Sequence, residues 1–465
     1  MMLFARSLLG AAPATLFAAA ALSACGSASD AGGANAGAGA TESSAGTAGR
    51  AQATAGANSV AGGGGSAGIG NENGGSSAQA GAGAGTGVGA GTGAGAGAGA
   101  GTAGGAGSAG QSAGHGGSSG SASAGGAGGS VGSSAGSGGS AGFLPWPGGN
   151  QVITVDPVNT YASDLSGLLY EPAQGAAPAV LWAVQNQPSK LYRLLYNGSV
   201  WASDSSNGWS SGKALHFADG QGAPDSEGVT KGALGSTALY TSIERDNQNS
   251  GVSRLSVLMF DGAAAAATLS ATREWNLTGD LPKAGSNLGL EAIAWVPDAY
   301  LVSKGFIDES KQAAYDPSSY ADHGGGIFFV GVEQDGMIYG FALDHGGNGF
   351  TRVATFASGH SGVMDLAFDR AVGYLWAVCD DTCQGRTNVL DIDTRAGSPT
   401  RGKFYVRRGF ERPASMPNLN NEGFTMASES TCQAGFKSVF YAEDGSTLGY
   451  AIRRDSIPCG PFLGN

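Results

Sequence analysis

The run Leu181-Trp182-Ala183-Val184 recurs far downstream as Leu375-Trp376-Ala377-Val378. Each copy follows a short run that ends in an aromatic and an acid: Leu168-Leu169-Tyr170-Glu171, then Leu366-Ala367-Phe368-Asp369. Three further segments share the pattern of that first run. They are Asp225-Ser226-Glu227-Gly228-Val229, Leu290-Glu291-Ala292-Ile293-Ala294-Trp295 and Asn421-Glu422-Gly423-Phe424. The anchors Ser166, Glu227, Glu291, Met364 and Glu422 recur about every 60 to 70 residues. Self-similarity at such a period indicates a propeller or a solenoid, because one unit cannot bury its apolar face alone.

Within each unit the apolar runs are short, rich in Val, Leu, Tyr and Trp, and separated by turn residues. The first unit reads as four strands, 168–170, 180–184, 191–196 and 200–203, with the turn Asn197-Gly198 before the last. A four-stranded antiparallel blade is the propeller unit. The expected fold is therefore all-β: a five-bladed β-propeller, with six blades left open by the long unit from Glu291 to Met364. The last unit offers only three strands, 424–426, 439–442 and 448–453. The stretch Gln151 to Asp156 has no blade of its own and is expected to supply the missing outer strand.

The repeats fill residues 143–465, and the chain before them is of another kind. Arg6 and an apolar, Ala-rich run from Leu8 to Leu22 have the build of a secretion signal and are too short to span a bilayer. The run ends in Leu22-Ser23-Ala24-Cys25, which resembles a bacterial lipobox; an ordinary signal with a chance cysteine is the alternative. The lipobox implies a signal peptide over 1–24 and acylation of Cys25. Two or more acyl chains give stable membrane anchoring. Gly26 is not an inner-membrane retention residue, so the expected location is the outer membrane, facing either the periplasm or the cell surface. Residues 25–142 are nearly all Gly, Ala, Ser and Thr, and cannot offset the entropy of ordering. They are read as a disordered tether with a reach on the order of 60 Å. Silk-like stacking of the Gly-Ala run after Val88 is the sharper alternative.

Residues 143–465 hold 22 basic and 33 acidic side chains. That acidity argues against nucleic acid and fits cation binding or plain solubility. With Cys25 lipidated, four cysteines remain, an even number in an oxidising compartment. The expected pairs are Cys379–Cys383 and Cys432–Cys459, the second locking the ring closure. Zinc is the rival for four cysteines, but no C-x-x-C pair and no nearby His supports it.

Blade topology gathers the candidate site. The start of strand one and the turn after strand two share a face, and strand one lines the channel. Glu227, Glu291 and Glu422 should therefore cluster at one mouth, with Asp365 one position further along. The turns after strand two are read as adding Asn186, Glu244 with Arg245, Lys304, Asp380 with Asp381, and Glu443 with Asp444. Clustered carboxylates repel one another and lose hydration, and a hard cation relieves both. Calcium takes six to eight oxygens with loose geometry. The expected metal ligands are Glu227, Glu291, Asp365 and Glu422; Arg245, Lys304, Asp380 and Glu443 are the expected ligand-binding groups. The alternative makes each acid a structural cap on backbone N–H groups of a neighbouring blade. Residues 305–326 read as a long loop after strand two of the third blade, overhanging the mouth. His323-Gly324-Gly325-Gly326 and Gly359-His360-Ser361-Gly362 mimic parts of a serine esterase, without the strand–turn–helix that a nucleophile elbow requires.

In their order along the chain these motifs resemble the SdiA-regulated family and the related phytase-like, esterase-like β-propellers. Asp164 to Tyr170 leading into Leu181 to Val184 looks like that family's opening blade, and Asp225-Ser226-Glu227-Gly228 like its Asp-x-Glu-Gly. Gly362 to Asp369 looks like its Ser-Asp-Leu blade, with Met364 in place of Ser. Asn287 to Ala294 resembles a motif of the phytase-like relatives, with Leu290 and Ala292 as departures. The resemblance spans residues 160 to 455 and implies a calcium-associated extracytoplasmic propeller. Two functions follow as expectations. One is a lipid-anchored binding module for an unknown small-molecule or protein ligand. The other is a metal-dependent phosphoesterase using Arg245 and Lys304 for phosphate.

Overall fold

The computed structural model describes residues 142–464. The signal over 1–24, Cys25 and the tether lie outside the described residues. Strands from this region form five sheets that follow one another around a ring. The innermost strands are Leu165–Glu171, Pro224–Thr230, Leu290–Pro297, Asp365–Asp369 and Asn421–Met426. Each contacts the next, and the last contacts the first, so the ring is closed. The fold is a five-bladed β-propeller. The first blade is irregular at its rim, where Trp201–Ser203 and Lys213–His216 both pair with Lys190–Tyr196.

The recurring tetrapeptide shows what holds the ring. In Val180–Gln185, Leu181 and Ala183 pack toward the fifth blade, while Trp182 and Val184 pack toward the second. In Tyr374–Val378, Leu375 and Ala377 pack toward the third blade, and Trp376 and Val378 toward the fifth. Side chains alternate between the faces of a strand, so a second strand sandwiched between two blades must be apolar on both faces. Each of the five blade interfaces has its own buried apolar cluster. The long unit is long because residues 298–325 form an insertion, with the helix Asp298–Ser303 and the hairpin Ile307–Asp308/Ala313–Ala314. It does not form a sixth blade.

The ring closes as the sequence suggested. Ile153–Thr154 pairs antiparallel with Ile452–Pro458 as the outer strand of the fifth blade. The disulfide Cys432–Cys459 ties the turn after that blade's inner strand to the end of Ile452–Pro458. Cys379 and Cys383 form the other bond. Replacing Cys432 and Cys459 together by Ser is expected to lower stability by about 2 kcal/mol, within the range for loss of a native disulfide. Denaturant unfolding of the double variant measures this. The Cys379–Cys383 pair closes a loop of only four residues in sequence, so its loss should matter less.

Candidate functional site

The three glutamates owe their aim to a local irregularity. Pairing of the first and second strands shifts register between Ser226 and Gly228, between Leu290 and Ala292, and between Asn421 and Gly423. Glu227, Glu291 and Glu422 are the residues skipped. A bulge leaves one residue unpaired and re-aims its side chain. The glycine after two of them is a packing requirement. A Cβ on Gly228 would lie 2.8 Å from the Ile293 nitrogen of the next blade, and one on Gly423 would lie 2.3 Å from the Ser166 carbonyl oxygen. Glu-Gly thus encodes a carboxylate turned into the mouth where inner strands approach most closely.

The result is a cavity of about 390 Å³ at one end of the channel. Nine carboxylates from all five blades line it: Asp164, Asp225, Glu227, Glu244, Glu291, Glu333, Asp380, Glu422 and Asp444. Arg245 is the one basic residue among them. Its guanidinium is already engaged, with Nε 2.7 Å from Asp225 Oδ2 and Nη1 3.3 Å from Glu244 Oε2. Glu244 also accepts a 2.8 Å bond from the Gly289 N–H, tying the second blade to the third. Asn420 Nδ2 bridges Glu422 and Asp444. Asp380 caps its own turn, accepting from the Thr382 N–H and hydroxyl.

Charge has no outlet here. Burial pushes Glu227, Glu291 and Glu422 well above the usual carboxylate range. Neighbouring acids add to the shift, led by Asp225 at Glu227, by Glu227 at Glu291 and by Asp444 at Glu422. Burial raises Glu244 to about 7, against the opposing pull of the Gly289 N–H and Arg245. Glu227 Oε2 is buried with no hydrogen-bond partner among the described residues. Such an orphaned acceptor is destabilising unless something fills it. Two trios offer ligand atoms within 4.8 Å of one another: Asp225, Glu227 and Glu244; and Glu244, Glu291 and Glu333. The donor set is all oxygen, which suits a hard divalent cation.

Of the expected metal ligands, Glu227, Glu291 and Glu422 come together, but Asp365 does not. The first and second strands of the fourth blade pair without a bulge; Asp365 pairs directly with Val378 and Leu366 with Ala377. The Asp365 carboxylate therefore stays buried in the ring. It accepts from the N–H groups of Phe424 at 2.6 Å, Leu366 at 2.7 Å and Leu168 at 3.5 Å. It is a structural cap joining three blades. Among the expected ligand-binding groups, Arg245 and Asp380 line the mouth, whereas Lys304 and Glu443 do not. Glu443 pairs with Arg453 at 2.6 Å and accepts from the Thr447 hydroxyl, leaving its neighbour Asp444 to face the cavity. Lys304 caps the helix Asp298–Ser303, which follows strand one, and lies 3.5 Å from Asp391. The insertion thus leaves the far end of strand one and does not overhang the acids. The true second strand of that blade is Gly326–Val332, and the residue after it, Glu333, takes the place expected for Lys304. Within the insertion, His323 bonds Asp298 at 2.9 Å.

No family model and no curated protein matches the sequence. Among solved structures, a chain of the "Crystal structure of Nidogen/Laminin Complex" is similar at 13% identity and a TM-score of 0.28. The match covers 61% of this chain and 73% of that one. The fold assignment rests on strand topology and owes nothing to that remote likeness.

Proposed function

We propose that this is a lipid-anchored, extracytoplasmic propeller whose acidic mouth takes up calcium and serves as a binding module. The observation that carries the reading is the nine-to-one excess of carboxylates over cations in one cavity, with Glu227 Oε2 left unpartnered at its wall. Asp225, Glu227, Glu244, Glu291 and Glu333 would hold the ion. Calcium accepts mono- and bidentate carboxylates with tolerant geometry, which suits ligands delivered by separate blades. The resemblance to calcium-associated propellers supports the same assignment. Cys25 and the tether supply the membrane attachment in this reading, and the outer membrane is the favoured location. Phosphoester hydrolysis is the weaker reading. It asks for two cations at the mouth, and Lys304 lies elsewhere while Arg245 is neutralised.

Thermal unfolding of the chain lacking its first 24 residues tests the proposal, run with calcium, with magnesium and with chelator. At a hundredfold excess over Kd, a ligand specific to the native state adds about 2.7 kcal/mol. Magnesium demands a tighter octahedral shell and is expected to do less. Calcium and chelator curves that coincide would remove the proposal. The effect should also depend on pH, with a sign set by the raised carboxylates. An unfolded Glu titrates near about 4.3. The metal-free fold binds more protons above that value, so its stability is full below it. That stability falls as pH rises through about 7 for Glu244, and its neighbours Glu227 and Glu291, also raised by burial, act in the same direction. Calcium competes with those protons. Its stabilising effect should therefore grow from pH 5 to pH 8.

A further inference from the structure

The inner strands run from the acidic mouth to the opposite end of the channel, where their last residues line a second cavity of about 300 Å³. Its walls are unlike the first. Leu169, Tyr170, Val229, Trp295, Phe368 and Met426 come from all five blades. Leu234 stands at its edge with 53% of its surface exposed. Concave, mostly apolar walls of this size with a few polar groups are the usual form of a small-molecule site.

The polar groups decide what fits. Asp369 and Glu429 also line the cavity, but both carboxylates are engaged. Lys437 Nζ lies 2.6 Å from Asp369 and 2.7 Å from Glu429. Asp369 also accepts from the N–H groups of Ala371 and Val372, and Glu429 from that of Gly460. Lys231, beside the mouth, is held 2.8 Å from Glu171. Arg370 differs. Its guanidinium lies over the Trp295 ring, 4.7 Å from the centroid. Its Nη2 donates to the carbonyls of Lys231 and Gly232, both at 2.6 Å. Its Nε and Nη1 have no partner, and no carboxylate lies within 4.0 Å of it, among the described residues. Arg370 is thus a fixed cation with two open donors at the lip of an aromatic and aliphatic cup. With Nη2 committed to the two carbonyls, the free Nε–H and Nη1–H diverge. A carboxylate or sulfonate would therefore be held by single charge-assisted bonds rather than by a bidentate fork, and the cup accepts a ring.

We propose that this second mouth binds a small aromatic monoanion, with the ring between Tyr170, Phe368 and Met426 and the acid group on Arg370. The site is independent of the calcium reading, because it shares no residue with the acidic mouth.

The test uses three naphthalene probes titrated into the chain that begins at residue 25, followed by calorimetry: 2-naphthoate, neutral 2-naphthol and cationic 2-naphthylmethylamine. The expected result is saturable one-to-one binding of naphthoate, at least about tenfold tighter than of naphthol, with the amine weakest; tenfold is 1.4 kcal/mol. Arg370→Gln should bring naphthoate down to the naphthol level, and Arg370→Lys should fall between. Leu234→Ser, at an exposed position, should weaken both naphthoate and naphthol several-fold, with the melting temperature unchanged. Glu227→Gln, at the other mouth, should leave naphthoate binding alone. Equal affinity for anion and amine, or naphthoate affinity unmoved by both Arg370→Gln and Leu234→Ser, would overturn the proposal.

Discussion

Asp365→Ala is expected to destabilise the domain by about 4 kcal/mol and lower its melting temperature by about 10 °C. The reason is topological. This carboxylate is fully buried and accepts backbone N–H groups of the first, fourth and fifth blades. Alanine strands those donors in a site that water does not reach, and each unsatisfied group costs about 1–3 kcal/mol. Burial also pushes the acid well above its usual range. Both of its oxygens accept, Oδ1 from the Leu366 N–H and Oδ2 from those of Phe424 and Leu168. Asp365→Asn keeps one acceptor oxygen and sets an NH2 against the other donors, so it should recover only part of the stability lost in the alanine variant. Denaturant titrations of both variants check this. If Ala and Asn are equally harmless, the cap assignment fails. Calcium should stabilise the folded Asn variant as much as the parent, because Asp365 lies outside the acidic mouth.

Glu227→Gln should have the opposite sign. Without metal, this carboxylate is buried beside Asp225 and Glu244 with one oxygen unpartnered. Neutralising it removes repulsion, so at pH 8 the metal-free variant is expected to melt several degrees above the parent. In calcium the order should reverse. The parent gains about 2.7 kcal/mol at a hundredfold excess over Kd, and the variant gains little. A merely structural glutamate would be destabilising to replace under both conditions. The crossing of the two curves is thus specific to a cation site, and a scan of both proteins with calcium and with chelator reads it directly.

The repeat made the ring legible, because a strand apolar on both faces fits only between two sheets. Leu181 to Val184 and Leu375 to Val378 carry that information outright. The Glu-Gly pairs carried the mouth, since Gly228 and Gly423 mark where inner strands crowd. What the residues did not reveal was the aim of each side chain. Asp365 sits one position beyond the glutamates' place in the repeat, and regular pairing keeps it in the ring. A bulge is a property of two strands, and one strand's sequence does not show it. The third blade was misread for a different reason. Tyr300-Leu301-Val302 has strand-like residues, but Asp298 begins a helix there, with Leu301 buried on its inner side. The run Ile327 to Val330, just after Gly324 to Gly326, was the better signal for strand two. It would have delivered Glu333 in place of Lys304.

That acids from separate blades share one cation is most directly tested by titrating calcium calorimetrically into the metal-stripped chain at pH 7.5. A saturable isotherm with Kd on the order of 10⁻⁴ M or tighter is the predicted outcome, lost in both Glu227→Gln and Glu291→Gln, each from a different blade. No saturable heat in the parent, or binding that survives both substitutions, would contradict the account.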